Sequence, residues 1–491
     1  MTWPGGISAR GMAFSADRHS SLVLRLILLF LTVSVLQACS LHKSMVPDQG
    51  SVVHMPESFA NQIGPNAGKW TGDRWWKSLH NPELDRLISD GLINNLDITV
   101  ALERLKQARA AAGQAQAARL PWIGFNLDSR RSKHPSIPED ITGNTYEFSL
   151  AASYEIDLWQ KFKSRADAAE FMAGAAREDL KTAYISVAAQ IADLYYMAME
   201  QEAQLRLIDA IIRSSSKTLD LVWNRYEAGI AEPVDVYQAR QTLESARSRR
   251  PVYEAGVKKA NHALSIMLGR VPDPGLIKTG CDLPANIAPP ETGIPAGLLA
   301  NRPDVHAAWL RLKGFDASVA AAVADLFPSV RIGAGIGQSQ SLILGDPLVG
   351  SFWNLLLSVA QPVFEGGRRM EEVRKQEAAF REHLAAYHKT VLTAFKEVED
   401  ALATFHASEK EMHYLEKLVE ATQGDVRLSR ERYFWGLTEY LPVLTAQTMD
   451  LEARTKLIVA RGRYISAWIS LVRALGGTWP QELIETRLDG K

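Results

Sequence analysis

The sequence predicts a mainly α-helical chain that is internally duplicated and carries four membrane-type β-strands. Three observations predict this class: a repeat at one fixed offset, paired stretches of period-two alternation, and helices of unusual length with a 3.5-residue apolar period. The repeat comes first. Asn94, Asp97, Pro121, Gly229 and Gly269 return as Asn301, Asp304, Pro328, Gly436 and Gly476, each 207 residues later. Arg104-Leu105-Lys106 returns as Arg311-Leu312-Lys313 at the same offset. Short solenoid repeats run ~20–50 residues, so each unit here must be close to domain size.

The strands alternate apolar and polar residues. Ile123, Phe125 and Leu127 alternate with Asn126, Asp128 and Arg130. Phe148, Leu150, Ala152, Tyr154 and Ile156 alternate with Glu147, Ser149, Ser153, Glu155 and Asp157. In the second half Val330, Ile332, Ala334 and Ile336 alternate with Arg331, Gly333, Gly335 and Gly337, and Trp353, Leu355, Leu357 and Val359 with Asn354, Leu356, Ser358 and Ala360. Two-faced strands of about ten residues suit a membrane β-barrel. Half-buried hairpins on a soluble domain have the same period. The acids and Arg130 on the polar face favour a water-filled lumen.

The long helices follow. Between Leu158 and Tyr226 there is no proline and Gly174 is the single glycine. A helix of that length spans on the order of 100 Å. Its seam steps by four and three: Val187, Ile191, Leu194, Ala198, Gln201, Leu205, Ile208, Ile212, Ser215, Leu219, Val222, Tyr226. The second half repeats it: Ala394, Val398, Ala401, Phe405, Ser408, Met412, Leu415, Val419, Thr422, Val426, Ser429, Tyr433. That is a left-handed coiled-coil period. Arg206, Arg213, Lys217, Glu409 and Lys410 between the seams place the helices in water. Each long helix ends at a glycine, Gly229 or Gly436, suited to the left-handed stop. Pro233 and Pro442 open the next helix, so each connection is a tight antiparallel hairpin.

The N-terminus carries a different message. Arg18, His19 and Arg25 precede the apolar run Leu26–Leu36, of secretory rather than membrane-spanning length. The run ends in Leu36-Gln37-Ala38-Cys39-Ser40, which resembles a bacterial lipobox, with Cys39 as the lipidated residue. A plain secretory signal with an incidental cysteine is the alternative, and Met12 is a second candidate start. The organisation expected is a signal peptide at 1–38, a lipidated extended segment at 39–80 and a first repeat at 81–270 (helix, two strands, long helix, turn, helix). A Pro-rich connector at 271–302, a second repeat at 303–477 and a polar tail at 478–491 complete it. Trp70, Trp75 and Trp76 of the extended segment are expected to pack on the body.

Composition excludes several classes. The 491 residues are 46% hydrophobic with a net charge of −1, so no basic surplus points to nucleic acid. With Cys39 lipidated, Cys281 is alone, and neither a disulfide nor a cysteine metal site follows. Gly333-Ala334-Gly335-Ile336-Gly337 looks faintly like a phosphate loop but precedes no helix. His383 and His388 share no helix face well. No Gly-x-Ser-x-Gly elbow and no His-Glu-x-x-His occurs. No catalytic residue, metal or cofactor is assigned, and no enzyme is expected.

Four strands cannot close a spanning barrel, which starts at about eight. The strands therefore demand oligomerisation: two chains supply 8 and three supply 12. A polar-lined barrel joined to long aqueous helices describes a conduit.

Particular motifs carry a resemblance. They are Trp75-Trp76-Lys77-Ser78-Leu79 with Asn81-Pro82-Glu83-Leu84, Tyr154-Glu155-Ile156-Asp157-Leu158-Trp159, Asn301-Arg302-Pro303-Asp304-Val305, Gln361-Pro362-Val363-Phe364-Glu365-Gly366-Gly367-Arg368 and the two tip turns. Together they make the chain resemble the TolC-type outer-membrane efflux proteins, in their lipoprotein (NodT-like) branch. The resemblance implies a homotrimer with a 12-stranded outer-membrane barrel and a periplasmic α-helical barrel. It implies a lipid-anchored outer-membrane channel that passively exports small molecules such as drugs and toxic compounds. The implied partners are a periplasmic adaptor protein and an inner-membrane pump. Two alternatives are a coiled-coil lipoprotein without a pore and the outer-membrane component of a type I secretion system. In the family the hairpin tips close the periplasmic entrance, and acids of the second-half tip ring it. The tip pattern carries those positions onto Pro442 and Thr445, a departure that leaves Glu439 to supply the acid or the entrance less cation-selective. Glu232, Asp235 and Arg432 complete the aperture candidates, with Asp235 placed to pair with Arg432 or a neighbouring chain. Tyr226, Gly229, Tyr433 and Gly436 resemble adaptor-contacting tip residues; plain helix capping explains them equally.

Overall fold

The computed structural model describes residues 42–48, 56–60, 74–135, 141–277, 283–284, 287–288, 297, 301–343 and 346–477. Cys39, Cys281, Trp70, the leader and the C-terminal tail lie outside the described residues. The elements are α1 (Pro82–Asn94), α2 (Leu96–Ala117), β1 (Trp122–His134), β2 (Ile141–Ile156), α3 (Lys161–Glu227) and α4 (Pro233–Met267), then α5 (Pro303–Ala324), β3 (Ser329–Ile343), β4 (Asp346–Ala360), α6 (Arg368–Phe434) and α7 (Leu441–Ala474). The fold is mainly helical with four antiparallel strands. Its contacts divide it into one unit of 1–46, 111–169 and 314–381, and a second of 47–110, 170–313 and 382–491.

The first unit holds the sheet, in the order β1-β2-β3-β4, every pair antiparallel. Strands of 13 to 16 residues exceed the expected ten. Register sorts the side chains. Ile123, Ala152, Ala334 and Leu355 lie side by side, as do Phe125, Leu150, Ile336 and Trp353. On the other face Ser149 lies between Asn126 and Gly337, and Glu147 between Asp128 and Ser339. The glycine-rich stretch at 333–337 is β3 itself. Two acids expected on the polar face find their partners at the end of β2. Asp157 accepts from the amides of Phe162 (3.0 Å) and Lys163 (2.8 Å), capping α3. Glu155 pairs with Lys161 (2.7 Å) and Arg331 (2.8 Å). Both lie at the strand's end, where the chain turns into a helix whose first amides need acceptors.

The second unit is helical. Seam positions Val187, Ile191, Ala198, Ile208 and Val222 on α3 are buried, as are Ala394, Val398, Phe405, Met412 and Tyr433 on α6. Both long helices have 67 residues. The first repeat opens with two helices where one was expected, because Asn95 interrupts the run. Its side chain caps α2 through Asp97 (2.8 Å) and Ile98 (3.1 Å) and donates to the carbonyl of Met267 (2.9 Å). One repeat length on, Arg302 donates to the carbonyl of Ala474 (2.9 Å), so different side chains make the same tie. Gly269 and Gly476 have φ of 66° and 100°, and a Cβ there would lie 2.5 Å from the Asn94 carbonyl oxygen and 2.7 Å from that of Asn301. The shared offset of asparagine and glycine is therefore one contact made twice. Trp75 and Trp76 are buried in a 3₁₀ turn, Trp75 with its ring 5.8 Å from that of Trp468. Pro251 sits inside α4 on an exposed turn without ending the helix.

Two half-buried acids lie on α3. Burial pushes the Asp193 carboxyl up to about 6, against the Ser466 hydroxyl (2.9 Å) and the charge of Arg473. Burial likewise pushes Glu200 up to about 6, against Arg463. In the unfolded chain such groups titrate near 4, so folding binds protons between about 4 and 6. Their contribution to stability is present below about 4 and is lost as pH rises through about 6. Asp193→Asn is therefore expected to melt like the parent at pH 4 and higher than it at pH 7.5. Circular dichroism of the detergent-solubilised protein reads this, and equal melting at both pH values refutes it.

Candidate functional site

Two features of the structure bear on function: the two-faced sheet and the pair of helix turns. The sheet exposes Phe125 (58%), Trp353 (78%) and Leu355 (73%) on one continuous face. An apolar face spanning all four strands needs an apolar surrounding or a partner. Among the described residues, no helix is long and apolar enough to cross a membrane. Strands β1 and β4 form the two free edges of the sheet.

The turns are built alike. In the first, the amide of Gly229 bonds to Tyr226 O (2.9 Å) and that of Ile230 to Arg225 O (2.8 Å). In the second, Gly436 bonds to Tyr433 O (3.0 Å) and Leu437 to Arg432 O (2.8 Å). Both glycines have φ of 70°, a conformation a side chain resists. Beneath the turns, Val222, Val236, Ala239, Tyr433, Tyr440 and Val443 form a small buried cluster.

The cluster breaks the symmetry of the repeat. Tyr433 is 5% exposed, whereas its mate Tyr226 is 40% exposed. The Arg225 guanidinium stacks 4.8 Å from the Tyr433 ring, and its Nη1 donates to the carbonyl of Phe434 (3.1 Å). It thus joins the turn of one repeat to the turn of the other. Tyr433 and Tyr440 meet edge to face at 5.4 Å. Burial, reinforced by Asp235, raises the Tyr433 phenol above its ordinary value. Burial, with Tyr433 beside it, pushes Tyr440 up to about 12. Both phenols therefore stay neutral, and the charge at the turns comes from the arginines and acids.

The candidate residues are distributed unevenly. Glu232, Arg432, Glu439, Pro442 and Thr445 are exposed, and Asp235 is half-buried. The Thr445 hydroxyl donates back to Leu441 O (3.0 Å). Among the described residues no ion pair joins Asp235 to Arg432; Asp235 instead acts on the two tyrosines. The residue that does link the turns is Arg225, which sequence reasoning left unassigned. The signal was available: Arg225-Tyr226 and Arg432-Tyr433 recur at the repeat offset, yet one arginine is drawn inward and the other is exposed. Among the described residues no group of three or more His, Cys, Asp or Glu is placed to hold a metal.

Arg225→Ala removes one cation–π contact of about 1 kcal/mol and a charge-assisted hydrogen bond of about 2 kcal/mol. Backbone amides of 433–440 are expected to exchange hydrogen on the order of a hundredfold faster, with the amides of α1 unchanged. Unchanged exchange at 433–440 refutes the link.

Comparison with known proteins agrees with this architecture. The sequence model of the family described as "Outer membrane efflux protein" matches residues 87–270 and 294–477, two segments separated by the same 207-residue offset. The pyoverdine export outer membrane protein OpmQ of Pseudomonas putida is 30% identical over 468 residues, covering 92% of this chain and 97% of its own. The toluene efflux pump outer membrane protein TtgF, also of Pseudomonas putida, is 30% identical over 413 residues, covering 82% and 85%. In fold, the chain is similar to the Campylobacter jejuni CmeC outer membrane channel, with a TM-score of 0.83 at 21% identity over 92% of this chain and 98% of that one. With its duplicated helical hairpins, its two-faced sheet and these likenesses over nearly its whole length, the chain belongs to the outer membrane efflux protein family.

Proposed function

We propose that this chain is the outer-membrane channel of a tripartite efflux system, through which small molecules leave the periplasm passively. The observation that carries the reading is the sheet: one face apolar across all four strands, the other polar, and two edges unpaired. In a bilayer each unpaired backbone group costs several kcal/mol, so the edges must meet other strands. Three copies joined β4 to β1 close a barrel of 12 strands with its polar face inward. The helical hairpins then supply the periplasmic tube, a periplasmic adaptor docks at their turns, and an inner-membrane pump drives the cargo. Cys39 is the site of lipid attachment, which anchors the chain at the outer membrane. Relatives named for pyoverdine and toluene export support small organic molecules as the cargo. No bond chemistry is part of this function.

The turns form the periplasmic aperture. Glu232, Asp235, Arg432, Glu439, Pro442 and Thr445 line or flank it. Tyr226, Gly229, Tyr433 and Gly436 hold the turns that the adaptor meets, and Arg225 ties the two turns of each chain. Glu439 supplies the exposed acid of the second turn. Glu439→Gln is expected to lower cation preference in planar bilayers; an unchanged reversal potential removes Glu439 from the aperture.

The function as a whole is tested in cells and on gels. A deletion strain is expected to become at least fourfold more susceptible to some hydrophobic drugs or solvents. The purified protein is expected to run as a trimer until boiled in SDS. Unchanged susceptibility across a broad panel, together with monomeric migration without boiling, overturns the proposal.

A further inference from the structure

Helices α3, α4, α6 and α7 surround a cavity of about 380 Å³ whose lining includes Arg249, Arg430, Arg454 and Asp450. Its charge departs from the repeat. On α4 the buried positions Val236, Ala239, Leu243 and Ala246 face the core; on α7 the mates are Val443, Ala446, Asp450 and Ala453. Three of these four positions stay apolar, while Leu243 becomes Asp450, a carboxylate only 5% exposed. Burying a carboxylate where a leucine packs is costly, so packing does not explain it. Arg430 likewise stands where the first repeat has Trp223.

The contacts show what the substitutions build. Asp450 accepts from Arg454 Nε (3.0 Å) and the Thr422 hydroxyl (3.4 Å). That bond holds Arg454 by Nε and leaves its other nitrogens for a further acceptor. Arg430 Nη2 donates to Ser214 Oγ (2.7 Å), and the Gln447 amide oxygen, with the amide flipped to the orientation that satisfies both of its ends, accepts from Nε (3.2 Å) and Nη2 (3.0 Å). These are neutral partners. Among the described residues no ion pair joins Arg430 or Arg249 to a carboxylate. Three guanidiniums therefore share one carboxylate around a cavity with hydroxyl-bearing walls. Arg249 and Arg430 are solvent-accessible, so the surplus charge can meet an incoming solute.

We propose that this cavity binds a small oxyanion, a phosphate or carboxylate group, held by Arg249, Arg430 and Arg454. Guanidinium forks match both oxyanions and form charge-assisted bonds with them. Arg249 belongs to the first repeat and the other two to the second, so the bound anion ties the two helical hairpins of one chain together. The volume exceeds that of inorganic phosphate alone and accommodates a small organic acid or phosphorylated compound.

The test uses the full-length protein in detergent, with inorganic phosphate or citrate titrated at ionic strength held constant by sodium chloride. The melting temperature is expected to rise with the logarithm of anion concentration once the site fills, and the tighter of the two probes identifies the preferred group. Arg430→Gln and Arg249→Gln are each expected to weaken binding about tenfold, the loss of one charge-assisted bond. Asp450→Asn removes only negative charge and is expected to tighten binding. Arg249 lies on an exposed helix surface, so its variant remains informative where a substitution at Arg430 compromises folding. The proposal is overturned if neither anion shifts melting up to ~50 mM, or if the shifts in Arg249→Gln and Asp450→Asn equal that of the parent.

Discussion

The rest of the structure depends on the backbone hydrogen bonds at the edges of one sheet. Within the chain, β1 to β4 satisfy each other at three interfaces and leave β1 and β4 open on their outer sides. An open edge is a liability in water and a larger one in hydrocarbon. The central interface is the consequential one. β2 and β3 belong to different repeats, yet they pair from Gly143 with Ile343 to Ile156 with Val330. The same antiparallel pairing that joins the two repeats is the kind that can join one chain to the next. A duplicated hairpin thus becomes a unit that adds to itself, and closure around an axis is the arrangement that leaves no edge.

The helical part follows a related logic with different forces. Two 67-residue helices bury a regular seam and leave charge between the seam positions. Their buried residues fall into separate apolar clusters, a larger one and a small one beneath the turns. Larger apolar clusters occur where other segments add side chains, as with Trp75, Trp76 and Trp468. Stability is consequently local, and specific polar ties at the helix ends matter. The ties from Asn95 to Met267 and from Arg302 to Ala474 join the start of α2 to the end of α4 and the start of α5 to the end of α7, at equivalent points of the two repeats. Arg302 is also held by Asp304 (2.6 Å) and Glu397 (2.7 Å), an arrangement its asparagine counterpart cannot make.

The repeats diverge at particular equivalent positions. Tyr226 and Tyr433 occupy equivalent places after equivalent arginines, but one is exposed and one is buried under Arg225. Leu243 and Asp450 occupy equivalent buried positions, but one packs and the other holds an arginine. Such differences are tolerated because each pseudo-equivalent position needs to be satisfied only once per chain. In the proposed trimer they turn a nominal six-fold tube into a three-fold one, with distinct chemistry at alternate turns.

Periodicity by itself determined much of this protein. The 207-residue offset, the period of two in the strands and the 3.5-residue seam are local or self-comparing signals, and each depends only on which residues follow which. They made legible the duplication, the two faces of the sheet, the buried stripe of each long helix and the glycine stop at each turn. Tertiary structure decided the rest, because those features depend on residues far apart in the chain. Asp157 reads as a lumen residue by alternation and becomes a helix cap because α3 begins just beyond it. Asp235 reads as a partner for Arg432 or a neighbouring chain, and within the chain the packing of α4 sets its charge on two tyrosines. The choice of Arg225 over Arg432 as the link between turns is likewise invisible in two nearly identical motifs. Sequence specifies such groups equally; only the packed helices determine which of them is drawn inward and which is left in water.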